Sequence, residues 1–412
     1  SQAEVLEGSL SQIAGLQRPF IDCQDFVNLQ IVNSFFSNNS VSESGGAINM
    51  INNDLSNPSY LVLRNSSLAF NSAVNNGGAL AISNAISNIT NTMFSNNNAT
   101  RSGGGLYYNS SMKDGVSISK SSFKNNYAGI SGGAIFMENE MVVTDAASVL
   151  MSGNSAGYYG NNQASNAVRL VAQITDSTNG AVVYNSNTTN SILELNNIAS
   201  RQPIPMKFSL RAIDLFGQVA LSLHAAAYLG LERISNTDPS NTNSISPDLA
   251  SLKELYISGG FLTFERVIVN SLSPDSLALS IRVPSGVFSS PKTFAYHSYE
   301  SYSNKTYSFS IHLKVRDCVL GESKVTTSQE QYCRLCPSGT YSFNPSDNIC
   351  FKCPNNAICY GGANTSIKSG NWRSNNRSME IYGCLIEEAC PQGTGYDCEA
   401  GYSGPLCQTC TS

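Results

Sequence analysis

The chain has 412 residues, enough for two or three domains with separate cores. Its formal net charge is −5 and only 13% of its residues are charged, against roughly 25% in an ordinary globular protein, which excludes the basic surface that nucleic-acid binding requires. Asn, Ser and 32 glycines replace the missing charge, while a 41% hydrophobic content excludes general disorder and favours a folded chain rich in β-turns.

The first residues contain neither an initiating Met nor a signal peptide. No apolar run reaches the roughly 18 residues that span a membrane, and the longest, Val219–Leu231, contains His224. Such abrupt ends are expected of a processed or partial product, with any export signal or anchor in segments outside it.

Four segments then align without gaps: Phe36-SNNSVSES-GGAINM, Leu68-AFNSAVNN-GGALAI, Phe94-SNNNATRS-GGGLYY and Phe123-KNNYAGIS-GGAIFM. The lead residue always stands nine positions before the first glycine (Gly45, Gly77, Gly103, Gly132), yet successive copies are 32, 26 and 29 residues apart. A worn fifth copy puts Leu150 nine positions before Tyr159-Gly160. A fixed offset inside a variable period means one repeated corner with loops of changing length elsewhere. After the glycines, Ile48 and Met50, Leu80 and Ile82, Leu106 and Tyr108, and Ile135 and Met137 sit two apart, on one face of a strand. Stretches such as Tyr60-LVLRNSSL and Val116-SISKSSF supply a second strand before each lead residue. Two or three short strands per coil predict a parallel β-helix whose coils stack at about 4.8 Å. Asn39, Asn71, Asn97 and Asn126 also align, and stacked Asn at a turn tolerates left-handed geometry and hydrogen-bonds along the stack.

The paired GGA[I/L] and F-x-x-N motifs resemble the polymorphic outer-membrane-protein repeats over about residues 20–175. That resemblance implies a right-handed, pectin-lyase-like solenoid with an adhesive or structural role at a surface. Leu68 and Gly105 depart from the pattern but keep tolerable size and polarity. A leucine-rich repeat fits less well, since the L-x-x-L-x-L frame is missing. The β-helix is assigned to residues 1–198, with Phe20 and Ile21 in an N-terminal cap.

Residues 199–318 lack the repeat. Alternating stretches at Met206-KFSLRAIDL, Gly217-QVALSLHA, Gly260-FLTFERVIV, Ser276-LALSIRV and Tyr307-SFSIHLKV, separated by turn residues, predict an antiparallel, immunoglobulin-like β-sandwich. Asn236–Pro247 reads as a polar loop.

Residues 319–412 have too few apolar residues for a core and must be cross-linked. Eleven of the twelve cysteines lie between Cys318 and Cys410, which points to an oxidising compartment. The C-P-x-G-T-Y-S stretch after Cys333 and Cys336 resembles cysteine-rich ephrin-receptor-like repeats, and C-x-x-G-Y-x-G-x-x-C resembles the end of an EGF or laminin-EGF module. The latter likeness implies a Cys398–Cys407 bridge. The order of solenoid, sandwich and tail is similar to large surface proteins of ciliates and other protists. The spacing of Cys333, Cys336, Cys350 and Cys353 nearly matches a four-thiolate zinc site, but Cys318, Cys359, Cys384, Cys390, Cys398 and Cys407 nearby favour disulfides, so no metal or cofactor is expected. Cys23 and Cys410 are left for an outside partner, a flanking segment or free thiols. Sequons occur at Asn38, Asn65, Asn88, Asn98, Asn109, Asn187, Asn304, Asn364 and Asn376, about the number chance supplies in so Asn-rich a chain, so glycans are permitted rather than selected.

For catalysis, the rival is a polysaccharide lyase or hydrolase, which needs carboxylates about 6.5–9.5 Å apart or a Ca²⁺ cluster with a base. Asp22, Asp25, Glu43, Asp54, Asp114, Glu138, Glu140 and Asp145 form no repeating acidic cluster, and His224, His297 and His312 lie outside the repeats. Fold alone carries no activity. The reading is an all-β, extracellular or cell-surface structural or adhesive glycoprotein, not an enzyme, whose partners are copies of itself or other surface and matrix glycoproteins. The alternative is a carbohydrate-binding or polysaccharide-active protein, with Tyr107, Phe136 and Tyr158 as outward aromatics.

Overall fold

The computed structural model describes residues 4–6, 9–11, 19–25, 27–110, 115–138, 143–145, 147–185, 193–234, 247–250, 253–271, 274–284, 286–288, 300–303, 306–327 and 331–410. Among them the only helical elements are two short 3₁₀ turns, Glu387–Ala389 and Pro405–Cys407.

The first part winds through four columns of parallel strands, each column five or six strands deep. One coil runs through Ser59–Arg64, Ser67–Ala69, Ser72–Ala73 and Leu80–Ser83; the next runs through Ala85–Thr90, Met93–Ser95, Asn98–Ala99 and Leu106–Asn109. Repeat spacing is thus hydrogen-bond register: Phe36 pairs with Leu68, Leu68 with Phe94 and Phe94 with Phe123. All four lead side chains are buried with the paired residues Ile48, Met50, Leu80 and Ile82 in one core, and each such burial stabilises by about 1.5–3 kcal/mol. The Phe94 and Phe123 rings stack 4.6 Å apart.

Both glycines of each pair have a mechanical reason. Gly77 takes φ +67°, a left-handed corner that other residues adopt only under strain. Gly78 has ordinary φ, but a Cβ there would sit 2.2 Å from the Gly104 carbonyl oxygen of the next coil. The first glycine turns the chain and the second lets coils touch. Gly105 departs from Ala because a methyl would lie 2.9 Å from the Phe123 ring.

The fifth copy is shifted by one residue from the expected frame. Met151, not Leu150, pairs with Phe123, while Leu150 pairs with Ser122 and is 70% exposed. Gly160, at φ +70°, takes the place of the first glycine, so Tyr159 does not. Period-two geometry makes such a slip reverse which side chain faces inward. Strands Glu4–Leu6, Ser9–Ser11 and Ile21–Gln24 are the first rungs of three columns, so residues around Ile21 enter the stack itself.

The coils stop at Gln163–Ser165, before residue 198. Arg169–Asp176, Val182–Asn185 and Glu194–Ile198 instead join a curled, antiparallel-rich ten-stranded sheet with Met206–Ile213, His224–Arg233, Glu254–Ser258, Phe261–Glu265, Asp275–Pro284, Glu300–Ser303 and Thr306–Val315. Its halves meet at the Ser258–Phe261 hairpin and turn residues such as Phe208, Leu262, Leu279 and Ile311 into one core. The strand expected at 217–225 forms only from His224, because Gln218 is held by Asp214 and Val219–Ala220 fold back on Ala212–Ile213. The tail has short hairpins and a minimal core around Ala389, Cys390 and Cys407, as its composition predicts.

Candidate functional site

The largest feature of the solenoid is a column of asparagines. Nδ2 of Asn39, Asn71, Asn97 and Asn126 donates to Oδ1 of the next coil's Asn at 2.7, 3.0, 2.9 and 3.0 Å, ending on Asn154. The same Nδ2 groups of Asn71, Asn97, Asn126 and Asn154 also donate to the carbonyls of Phe36, Leu68, Phe94 and Phe123 one coil back. Each Asn therefore ties the apolar column to its neighbours. The left-handed positions are the residues just before, Asn38, Phe70, Asn96 and Asn125, rather than the stacked asparagines themselves. Asn154 was hidden from the sequence frame by the one-residue shift.

At the end of this column a cleft of about 700 Å³ opens between the last coil and the curled sheet. Tyr158, Phe216 and Phe261 supply aromatic surface, and Asn161, Asn162 and Gln218 supply amides; no lining residue carries a formal charge. Tyr158 is 56% exposed and Phe261 46%. Asn162 Oδ1 accepts from Asn154 Nδ2 (3.1 Å), and Asn161 Oδ1 accepts from the Ala156 N–H (3.0 Å). Their oxygens are fixed within the fold, while their Nδ2 groups have no partner among the described residues. The buried neighbour Tyr159 donates to the Ser165 carbonyl at 2.6 Å, and burial pushes its hydroxyl up to about 12.

Asp214 holds the two walls together. Its Oδ1 accepts from the Phe216 and Gln218 N–H groups (2.9 and 2.8 Å), and its Oδ2 from the Ser165 N–H (3.2 Å) and Gln218 Nε2 (3.3 Å). Gln218 Nε2 also donates to the Gln163 carbonyl at 2.8 Å. Burial raises the Asp214 carboxyl above the usual range, against the lowering effect of those donors. The turn has no sequence motif; a lone Asp near a Gly was its only trace.

Of the three aromatics expected to face outward, only Tyr158 is open. Tyr107 and Phe136 do lie on the outer strand face and stack at 5.9 Å, but the curled sheet covers them: Phe136 is 6% exposed, and Tyr107 donates to Glu138 at 2.7 Å. Asp22 accepts from Asn49, Asp25 from Asn53, and Asp54 is held below the usual carboxylate range by hydrogen bonds from Ser56 and Asn57. Asp114, Glu140 and His297 lie outside the described residues.

Ten cysteines form bridges Cys318–Cys333, Cys336–Cys350, Cys353–Cys359, Cys384–Cys390 and Cys398–Cys407. The four residues with zinc-like spacing thus belong to three separate disulfides. Among the described residues the one group of three potential metal ligands is Cys318, Glu322 and Cys333, whose sulfurs are bonded to each other and whose carboxylate binds Arg316 at 2.7 Å. Cys410 is exposed, and Cys23 is half-buried in the first coil; neither is in one of the five bridges among the described residues. Of the sequons, Asn38, Asn65, Asn88, Asn98, Asn364 and Asn376 are exposed, Asn109 is half-buried, and Asn187 and Asn304 lie outside the described residues. Five disulfides point to an extracellular or secreted protein, and no described helix is long and apolar enough to cross a membrane.

No family model, curated protein or solved structure matches the chain.

Proposed function

We propose that this protein is a structural or adhesive glycoprotein of an extracellular surface, acting through surface contacts rather than catalysis. The observation that carries this reading is the continuous stack, in which backbone and apolar rungs join the coils and Asn side chains bolt those from Asn39 to Asn154 together. Such a body keeps its shape under load and repeats its surface at regular intervals. Likeness of the repeats to polymorphic outer-membrane-protein repeats and of the tail to ephrin-receptor and EGF-like modules supports the same role. Exposed sequons along the coils suit an N-glycosylated, secreted chain. Self-association belongs to the reading, since strand edges template further strands. The 214–218 turn occupies the edge of Gln163–Ser165, so contact by coil stacking is left to the opposite end and would pair two copies. Antibody against the chain should label intact, unpermeabilised cells of the source organism or its shed coat. Labelling seen only after permeabilisation would overturn the reading.

A second reading, glycan binding, rests on the uncharged cleft. Aromatic faces pack on the apolar faces of sugar rings while planar amides bond their hydroxyls. On a glycan array the full chain should retain neutral oligosaccharides, and Tyr158→Ala should lose them. A blank array removes this reading and leaves the scaffold role standing.

A further inference from the structure

Arg373 is the largest fully buried side chain among the described residues, with 2% exposure. It sits just after Asn371–Trp372 in the disulfide-rich tail. Its Nε donates to the Thr394 carbonyl (2.6 Å), Nη1 to Thr365 Oγ1 (3.0 Å) and Nη2 to the Thr365 carbonyl (3.5 Å). These are neutral acceptors. Among the described residues no carboxylate lies within ion-pairing distance of its guanidinium. Elsewhere the same protein does supply one: Arg316 pairs with Glu322, and Arg233 with Asp275, although both arginines are more exposed than Arg373. A buried guanidinium cannot shed its proton, so an uncompensated one is costly unless an anion joins it.

Space for an anion is present. Arg373 lines a pocket of about 340 Å³ together with Arg377, Asn364, Asn376, Thr394 and Tyr396. Arg377 is exposed, and it too forms no ion pair among the described residues. Two guanidinium groups, two amides and the hydroxyls of Ser366 and Tyr396 on one concavity form a donor-rich site; of the other two lining hydroxyls, Thr365 accepts from Arg373 and Thr394 donates to Asp397, and no carboxylate is among the lining residues. Arginine's planar fork suits oxyanions, with two parallel N–H···O bonds to one group.

The geometry points to an oxyanion-binding site in this pocket, for a carboxylate or sulfate group carried on an extracellular glycan, with Arg373 as the fixed inner contact and Arg377 as the outer one. The site is separate from the neutral cleft beside Asp214 and stands or falls independently of it.

The test is equilibrium binding of inorganic sulfate and acetate to the full, oxidised chain, at constant ionic strength with chloride as the balancing ion. Glucuronate and a monosaccharide sulfate form a second arm that distinguishes the two sources of the oxyanion. Saturable binding is expected, preferring one of these glycan-borne groups over neutral sugar. Arg377→Gln, an exposed change, should weaken it by about tenfold, as should Arg373→Lys, which keeps the charge but loses the fork. Near-UV circular dichroism checks that each variant is folded, and Arg377→Gln alone decides the matter if Arg373→Lys is not. Binding no better than chloride, or affinity unchanged in the folded variants, would overturn the proposal.

Discussion

Asn97 shows how much one side chain carries in a stacked fold. Its Oδ1 accepts from the Asn71 N–H and Nδ2, while its Nδ2 donates to Leu68 and Asn126. Asn97→Ala orphans buried groups on both adjacent coils and should destabilise by about 2–4 kcal/mol in denaturant titration. Its exposed neighbour Asn96, which supplies the left-handed corner, should lose only about 1 kcal/mol as Ala. Phe70 occupies that corner one coil earlier at φ +56° and is 58% exposed, where other coils have Asn or Gly. A bulky residue is strained there, so Phe70→Asn should raise stability by about 1 kcal/mol, read as a higher melting temperature. Asp214→Asn should destabilise by about 1–3 kcal/mol at neutral pH, because an amide NH₂ would face the Ser165 N–H or the Phe216 and Gln218 N–H groups.

At the scale of the element, much of the solenoid was legible in the sequence because each corner repeats one physical constraint. The glycine pairs, lead residues and period-two strands each have a single geometric cause, visible wherever it recurs. The fifth copy was misframed because the Gly-Gly pair that sets the register is replaced by Tyr159-Gly160, and both Leu150 and Met151 are apolar. The end of the coils was misplaced for another reason. Strands Arg169–Asp176 and Glu194–Ile198 follow the last coil without a break that the sequence marks, and only their partners reveal the sheet they join. Of the cleft only Tyr158 was legible, since Phe216 and Gln218 meet it through a turn without a motif. Gly78→Ala tests the coil contact itself: the added methyl would meet backbone on Gly104 and Asn98, which cannot swing aside, so loss of the cooperative solenoid transition by circular dichroism is expected. In the tail, cross-links replace a core, each worth about 2–4 kcal/mol. Mild reductant should therefore make residues 331–410 protease-sensitive while the coils stay resistant.

For the whole molecule, the three regions are joined by contacts of opposite pH response. Burial of Asp214 favours its proton more in the folded chain than in the unfolded one, so stability at the solenoid–sheet joint falls as pH rises through that window. At the sheet–tail joint, burial would raise Glu322, but the Arg316 and Val319 donors and the Arg316 charge outweigh it and hold the carboxyl below the usual range. Its contribution is present above the unfolded value and is lost as pH falls through the folded one. Acid should thus loosen the tail before the coils, measurable by hydrogen exchange in residues 322–335. The solenoid–sheet joint adjoins the end of the asparagine column, and that column has a direct readout. Selective ¹⁵N-asparagine NMR should show the side-chain amide hydrogens of Asn71, Asn97 and Asn126 exchanging with solvent far more slowly than those of Asn96. Equal, rapid exchange at all four would contradict the stacked architecture.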